Sequence, residues 1–313
     1  MVMAIPFLNS LRASIDGELW AIGKSKAIHI YNGINLFDRF IPFDSRQTIP
    51  FLDMVTLIKR FGFERGIALP HSFRSALLFY MARTKERVGY ARNRRGFMLT
   101  HRVSEGSVEP TVEHYLKIVD SLGGMRLTDT PFLAISADEE NKFDERCMDV
   151  NKPYVVFIVG AQYGPSKRWP SPHFSELADG IAKELGMKVY ILPGRGEEVL
   201  AQEVYKGVTC KDHVEIKAMD IRELKVCLSR ASAVVSNDTG PRHISAALSI
   251  PTVVLMGAMD ERYTLYPSGS THKISKDMPC RPCNDKKCDR DHECLKNITP
   301  REVLSKLEAI LAN

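Results

Sequence analysis

The residues best suited to chemistry sit in short turns between apolar runs. Ser236-Asn237-Asp238-Thr239-Gly240-Pro241 follows the run Ala233-Val234-Val235 and precedes Ile244, Ala247 and Leu248 at helical spacing. Asp and Thr cap helices, and Pro is tolerated in a first turn. Pro251 ends that helix, and Thr252 to Met256 reads as the next strand. Strand, polar turn, helix, strand is a βαβ unit. It puts Asp238, Thr239 and Gly240 at the carboxyl end of a strand and the amino end of a helix. Free N–H groups and the helix dipole favour anions there, so the expected ligand bears phosphate. His243 lies one turn further on. A plainer account covers the same residues: a capping Asp and a surface His with no ligand.

A second loop, Ala161 to Pro170 (AQYGPSKRWP), follows the apolar run Tyr154 to Gly160. Gly164 and Ser166 let a backbone approach closely, and Lys167 can neutralise a phosphate as a point charge. A third turn is Pro193-Gly194-Arg195-Gly196-Glu197-Glu198. Its Gly-x-Gly is only a fragment of a dinucleotide fingerprint. Val199 stands in the third position and Glu197 would repel a pyrophosphate, so NAD binding is excluded. Glu197 either accepts hydrogen bonds from a ribose or simply places charge at a helix start. Cys280, Cys283, Cys288 and Cys294 lie close together, with His292 nearby. Thiolate pairs can make a tetrahedral zinc site, but the second pair is spaced more widely than metal knuckles. Reduced cysteines in a loop are the other reading.

The elements that must carry these turns alternate. Strands are expected at Glu18 to Ile22, Ala27 to Ile30, Gly66 to Leu69, Arg87 to Tyr90 and Lys188 to Leu192. Helices are expected over residues 1–12, Phe51 to Phe61, Ser75 to Met81, Glu113 to Leu122, Phe174 to Leu185 and Ile221 to Leu228. A last helix starts at Thr299, a cap, with Pro300 in the first position and Glu302 able to close a capping box. Alternation of this kind predicts an α/β fold with a mainly parallel sheet. The charge-rich stretch 137–152 is read as the boundary between two domains, 1–148 and 149–313.

A chain of 313 residues that is 44% hydrophobic can bury a large core. No run of 18 apolar residues appears, so no membrane span is expected. The opening MVMAIPFLNSLR lacks the order of a signal peptide, which predicts a cytoplasmic protein. Seven cysteines in such a chain argue for thiols or a metal, not disulfides. The net charge of +5 is mild, so clustering matters more than the total. Between Arg83 and Arg102 stand seven Lys or Arg and one acidic residue, Glu86. Arg92, Arg94 and Arg95 fall within four positions. They form either a solvated basic loop or a landing site for an anion. Aromatic interleaving is slight and no nucleic-acid motif appears, so no nucleic-acid partner is expected. A phosphorylated small molecule or an anionic lipid headgroup fits the cluster.

Three segments together resemble glycosyltransferase family 9: VGAQYGPSKRWP (159–170), VVSNDTGPRHISAAL (234–248) and LPHSFRSALLF (69–79). Within the family the chain is most similar to the type II lipopolysaccharide heptosyltransferases, over nearly its whole length. The resemblance implies a GT-B architecture, two Rossmann-like domains facing across a cleft, with the acceptor domain first and the donor domain second. It implies inverting transfer of heptose from ADP-heptose to the inner core of lipopolysaccharide, with no cofactor. The protein would then work at the inner surface of the inner membrane, as a peripheral protein. Carried over residue by residue, it implies that Lys167 and Ser166 hold the donor pyrophosphate. Asp238, Thr239, Gly240 and His243 bind the donor at the helix start, Met219 contacts adenine, and Glu197 accepts the ribose hydroxyls. Ser72, Arg74, Arg92, Arg94 and Arg95 would face the anionic acceptor.

Members of the family begin with a strand and a Gly-Asp turn whose Asp is the proposed base. This sequence opens at Met1, just past that point. The expectation is a true start further upstream, with the start assigned at an internal Met. The alternative is an inactive, truncated form. No catalytic residue is therefore assigned, and Asp16 and His71 are substitutes by composition only. The competing functions are a non-catalytic nucleotide-sugar-binding protein, a family 9 transferase with another donor, and a zinc-stabilised nucleic-acid-binding protein.

Overall fold

Tyr154-Val155-Val156-Phe157-Ile158 has no polar side chain facing either way except a tyrosine hydroxyl, and all five residues are buried. Such continuous apolar strands belong in parallel sheets covered on both faces. In the computed structural model of the chain this strand lies inside a six-stranded parallel sheet. The structure describes all residues except 45–49, 107, 145–152, 265 and 313.

In chain order the strands are β1 Trp20–Gly23, β2 Arg39–Pro42, β3 Arg65–Ala68, β4 Glu86–Tyr90, β5 His101–Val103, β6 Tyr154–Ile158, β7 Lys188–Ile191, β8 Val214–Ile216, β9 Ala233–Asn237, β10 Thr252–Met256 and β11 Thr271–Ser275. The helices are α1 Ile5–Ala13, α2 Phe51–Phe61, α3 Phe73–Met81, α4 Thr111–Ser121, α5 Ala137–Asp144, α6 Ser171–Gly180, α7 Glu198–Gly207, α8 Ile221–Ser229, α9 Gly240–Ala247, α10 Glu293–Lys296 and α11 Pro300–Leu311. β1 pairs with β2, β3-β4-β5 form a second sheet, and the large sheet runs β11-β10-β9-β6-β7-β8. Every one of these pairings is parallel.

Alternate residues of the large sheet feed two cores. Val155, Phe157, Val189, Val235 and Val253 pack beneath α6, α7 and α11. Tyr154, Val156, Tyr190 and Val234 face the other way, towards α8, α9, α1 and α4. That second core joins both halves of the chain. A further tie is Leu133 N–H to Ala247 O (2.9 Å), from the first half to the end of α9.

Most of the expected elements are present. Ala27 to Ile30 is not a strand but part of a 3₁₀ helix, Ser25–Ile30. Four residues are too few to distinguish the two periods. β2, β5, β8 and β11 were not anticipated, being short and in part exposed. The stretch 137–152 divides: its first eight residues form α5, which packs on α8, and 145–152 lie outside the described residues.

Candidate active site

In the large sheet the chain runs outward from β6 through β7 to β8. It then crosses to β9 and continues outward to β11. The loops after β6 and β9 therefore diverge, leaving the crevice where α/β sheets bind ligands. Asn237, the last residue of β9, is fully buried and closes the gap between them. Its amide donates to Val159 O (2.7 Å) and accepts from the Trp169 backbone N–H (3.0 Å). The Trp169 indole N–H in turn donates to Ile298 O (2.9 Å). The loop carrying Lys167 is thus pinned to the end of β9.

Lys167 Nζ lies 2.8 Å from Asp238 Oδ2 and 3.1 Å from Asp238 O. Arg242 Nε, one turn into α9, lies 2.8 Å from Asp238 Oδ1. Asp238 is only 3% exposed. Burial opposes its charge, but Arg242 and Lys167 outweigh that and hold the carboxyl below its usual range. Two cations around one carboxylate leave a surplus positive charge at the amino end of α9. Thr239 is the N-cap residue but its side chain makes no capping bond, and the space above Gly240 is open. Free backbone N–H groups and a cationic surplus make a site for phosphate. Arg242 was not foreseen; an Asp and an Arg four apart at a helix start was the available signal.

The other donor residues sort themselves by partner. The Ser166 hydroxyl donates to Asp285 O and its N–H to Lys286 O (3.3 Å), so this buried serine ties the 280s loop and does not point at a ligand. A Cβ on Gly164 would stand 2.5 Å from Lys286 O, which is why glycine is needed there. Tyr163 lies beneath both Lys167 and Lys286, with the ammonium groups 5.1 and 5.7 Å from its ring centre. Glu197 precedes α7, accepts from Gly194 N–H (3.0 Å), and lies against Gly160 where any Cβ would collide with it. It therefore stands just past the carboxyl end of β6. Met219 follows β8 and packs on the first core. His243 is buried, and its Nδ1 hydrogen-bonds the Tyr266 hydroxyl (3.0 Å). Burial, then Arg242, pushes its pKa well below the usual value, so the ring adds no charge to this end of α9 near neutral pH.

On the first half, Ser72 caps α3 by accepting from Ser75 N–H (3.2 Å). Arg95 corrects the sequence reading. It is 0% exposed and its guanidinium is spent on the carbonyls of Ala68, Pro70, Ser72 and Tyr90 and the Ser75 hydroxyl. It clamps the ends of β3 and β4 and cannot face an acceptor. Arg92 pairs with Glu105 (2.9 Å) in the open, Arg94 is exposed, and Arg74 stacks over Phe43 and Phe51. Of the two substitute bases, Asp16 is misplaced. The 3₁₀ turn Val2–Ala4 before α1 packs on α9, and Asp16 lies beyond the other end of this nine-residue helix, about 14 Å along its axis. His71 follows β3, with Nε2 3.1 Å from His114 Nε2 and its buried Nδ1 unpartnered. Burial lowers the pKa of both rings.

The Cys288 sulfur accepts the N–H groups of Arg290 (3.4 Å) and His292 (3.3 Å), and Cys283 donates to Ala258 O (3.8 Å). Among the described residues no three or more His, Cys, Asp or Glu gather closely enough to hold a metal ion.

A doubly wound donor sheet with a cationic anion site at its switch point, joined to a second parallel α/β half, defines a GT-B type transferase fold. Residues 54–293 match glycosyltransferase family 9 (heptosyltransferase), and the chain belongs to that family. Its sequence is 26% identical over 273 residues to lipopolysaccharide heptosyltransferase 2 of Salmonella typhimurium, covering 80% of this chain and 76% of the relative. Its fold is similar to the solved E. coli ADP-heptose LPS heptosyltransferase II, with a TM-score of 0.84 at 22% identity, over 100% of this chain and 95% of that one. An E. coli heptosyltransferase solved with ADP gives a TM-score of 0.73 at 19% identity, over 99% and 95%. The protein is thus a glycosyltransferase. Among the described residues, no helix is long and apolar enough to cross a membrane.

Proposed function

We propose that the chain transfers heptose from ADP-heptose to the inner core of lipopolysaccharide, with inversion at the anomeric carbon. The observation that carries this reading is the Lys167–Asp238–Arg242 group at the uncapped amino end of α9. Inverting transfer is a single displacement. The acceptor hydroxyl oxygen attacks the anomeric carbon and gives its proton to a base, the bond from that carbon to the diphosphate oxygen breaks, and ADP departs with the bonding electrons. Charge grows on the pyrophosphate as it leaves, and preorganised cations and N–H groups favour that state most. Lys167 and the α9 N–H groups meet the pyrophosphate, with Arg242 adding charge through Asp238. Glu197 takes the ribose hydroxyls and Met219 lies under adenine. No cofactor enters this reading, since the chain supplies the charge. Residues 149–313 form the donor side and 1–148 the acceptor side, where Ser72, Arg74, Arg92 and Arg94 meet an anionic core. The relatives named above support the choice of sugar and acceptor, and a lipid-borne acceptor sets the work at a membrane surface.

The test supplies ADP-heptose and a delipidated, heptose-bearing core oligosaccharide. The expected result is ADP release matched by addition of one heptose to the acceptor. Tight ADP-heptose binding with no ADP released would replace this reading with that of a binding protein. Release with a different ADP-sugar alone would change the donor.

A further inference from the structure

Helix α3 turns only part of its surface to the protein. Ala76 and Leu78 are buried, and Leu77 packs beside Met98 and Leu99. Phe73 and Tyr80, two turns apart on the helix, stay 44% and 46% exposed, and Met81 is 42% exposed. Between them stands Phe97, 63% exposed, on the turn Gly96–Met98 that joins β4 to β5. Its ring centre is 6.3 Å from that of Phe73 and 6.0 Å from that of Tyr80. Three aromatic rings linked through Phe97 but open to water are not scattered surface residues. A contiguous apolar patch of this kind marks a docking surface.

Its rim selects the partner. Arg83 and Lys85 follow Met81 directly and are exposed, as are Arg94 and Arg102. Arg87 sits over the Tyr80 ring at 5.6 Å, and Arg102 Nε donates to Gly96 O (3.1 Å), beside Phe97. Of the acidic residues on β4 and after β5, Glu86 is engaged by Arg65 (2.5 Å) and Glu105 by Arg92 (2.9 Å). A second copy of the same face would set cation against cation. Rings with a cationic surround match the headgroup level of an anionic bilayer. There aromatic side chains reside by preference, and each nearby Lys or Arg strengthens binding.

We propose that the face formed by Phe73, Tyr80, Met81 and Phe97, with its rim of Arg83, Lys85, Arg87 and Arg102, docks on an anionic lipid bilayer. This deepens the reading of a lipid-borne acceptor, and rests on that reading for its purpose. Phe73 follows Ser72 at the carboxyl end of β3, so the docked face adjoins the acceptor side. A lipid-anchored core would rise from the bilayer beside Arg92 and Arg94 without leaving it.

Co-sedimentation with phosphatidylcholine vesicles, with and without phosphatidylglycerol, tests the proposal. The full chain is expected to bind the mixed vesicles and not the neutral ones, with binding that weakens as salt rises. The double substitution Phe73→Ser and Phe97→Ser is expected to weaken binding about tenfold or more. Arg83→Gln with Lys85→Gln is expected to weaken it about twenty-fivefold, at about fivefold per charge. Leu52→Ser, at an exposed apolar residue outside the patch (62%), should bind as the parent does and controls for general stickiness. Circular dichroism confirms that each variant folds. Equal binding to neutral vesicles, unchanged binding of the Phe73/Phe97 variant, or a dimer in solution that this variant abolishes would each overturn the proposal. Transfer to the delipidated oligosaccharide should be unaffected by the patch variants. Its failure in the parent chain would count against the transferase reading and leave the vesicle result standing by itself.

Discussion

A carboxylate at a phosphate site is a contradiction unless something outnumbers it. Asp238 is outnumbered two to one, by Lys167 and Arg242, and its own role is to hold them. This division of labour predicts different losses. Lys167→Met removes the charge proposed to meet the pyrophosphate but leaves Asp238 paired with Arg242. It should lower kcat/KM about a hundredfold with little change in thermal midpoint. Asp238→Asn frees Lys167 and leaves Arg242 buried without its carboxylate, so it should cost both activity and about 3 kcal/mol of stability. Steady-state kinetics beside thermal unfolding separates the two. Equal losses of stability in both variants would show Asp238 to be no more than one member of an ordinary pair. Residue types alone singled out Lys167 and Asp238 but left a plain capping Asp as the other account of that turn; the structure adds that the two side chains meet. Residue types could not show that Arg95, in the densest run of cations, is a fully buried clamp on carbonyls. Nor could they show that the Ser166 hydroxyl is spent on the 280s loop. Burial is decided by what packs on a residue, and its neighbours in sequence do not record that.

At the scale of elements, the sequence pattern served best where a strand or helix was long and of one period. β6, β9, β10, α2 and α11 are of that kind. It served worst in the charged stretch from 137, where α5 hides the most deeply buried ion pair. Lys225 Nζ on α8 donates to Glu139 Oε1 (3.0 Å), Glu139 Oε2 (3.1 Å) and Asn32 O (3.0 Å), and both side chains are fully buried. Glu139 Oε2 also accepts from Ser136 N–H (3.0 Å). The charges of 137–152 were read only as a domain boundary, because a single sequence cannot display a partner 86 residues away. Glu139→Gln strands a buried ammonium and should destabilise the protein by about 3–5 kcal/mol, read from urea unfolding. Burial already pulls the Lys225 pKa down, against the pull of Glu139, so loss of that carboxylate would lower it further. Glu139→Leu with Lys225→Met should recover most of that loss. It would not recover all, since Asn32 O and Ser136 N–H lose partners. A double variant as unstable as Glu139→Gln would show that the pair matters by its hydrogen bonds and not by its charges.

Across the whole molecule, the alternation of strands and helices predicted parallel sheets, and each observed pairing is parallel. The order β11-β10-β9-β6-β7-β8 was beyond the sequence, since neighbours in a sheet are chosen by packing across both its faces. The same packing gives the chain a shared response to acid. His71, His114, His173, His243 and His272, five of nine histidines, have pKa values below the ordinary 6.5, with burial the largest cause in each. His243 is held well below that value, by burial first and then by Arg242. The unfolded chain takes up protons at these sites near pH 6.5, while the folded chain resists until a lower pH. Between the two values the unfolded state binds more protons, so stability falls as pH falls. Each such histidine removes about 1.4 kcal/mol per pH unit across its window. Carboxylates with lowered pKa values, such as Asp238 and Asp120, act in the same direction but only below their unfolded pKa, about 4. The thermal midpoint should therefore drop steadily from pH 7 to pH 5, well before any carboxylate is protonated. A midpoint that stays level to pH 5 and drops only near pH 4 would mean that the carboxylates alone govern acid stability and that these rings protonate freely in the folded protein.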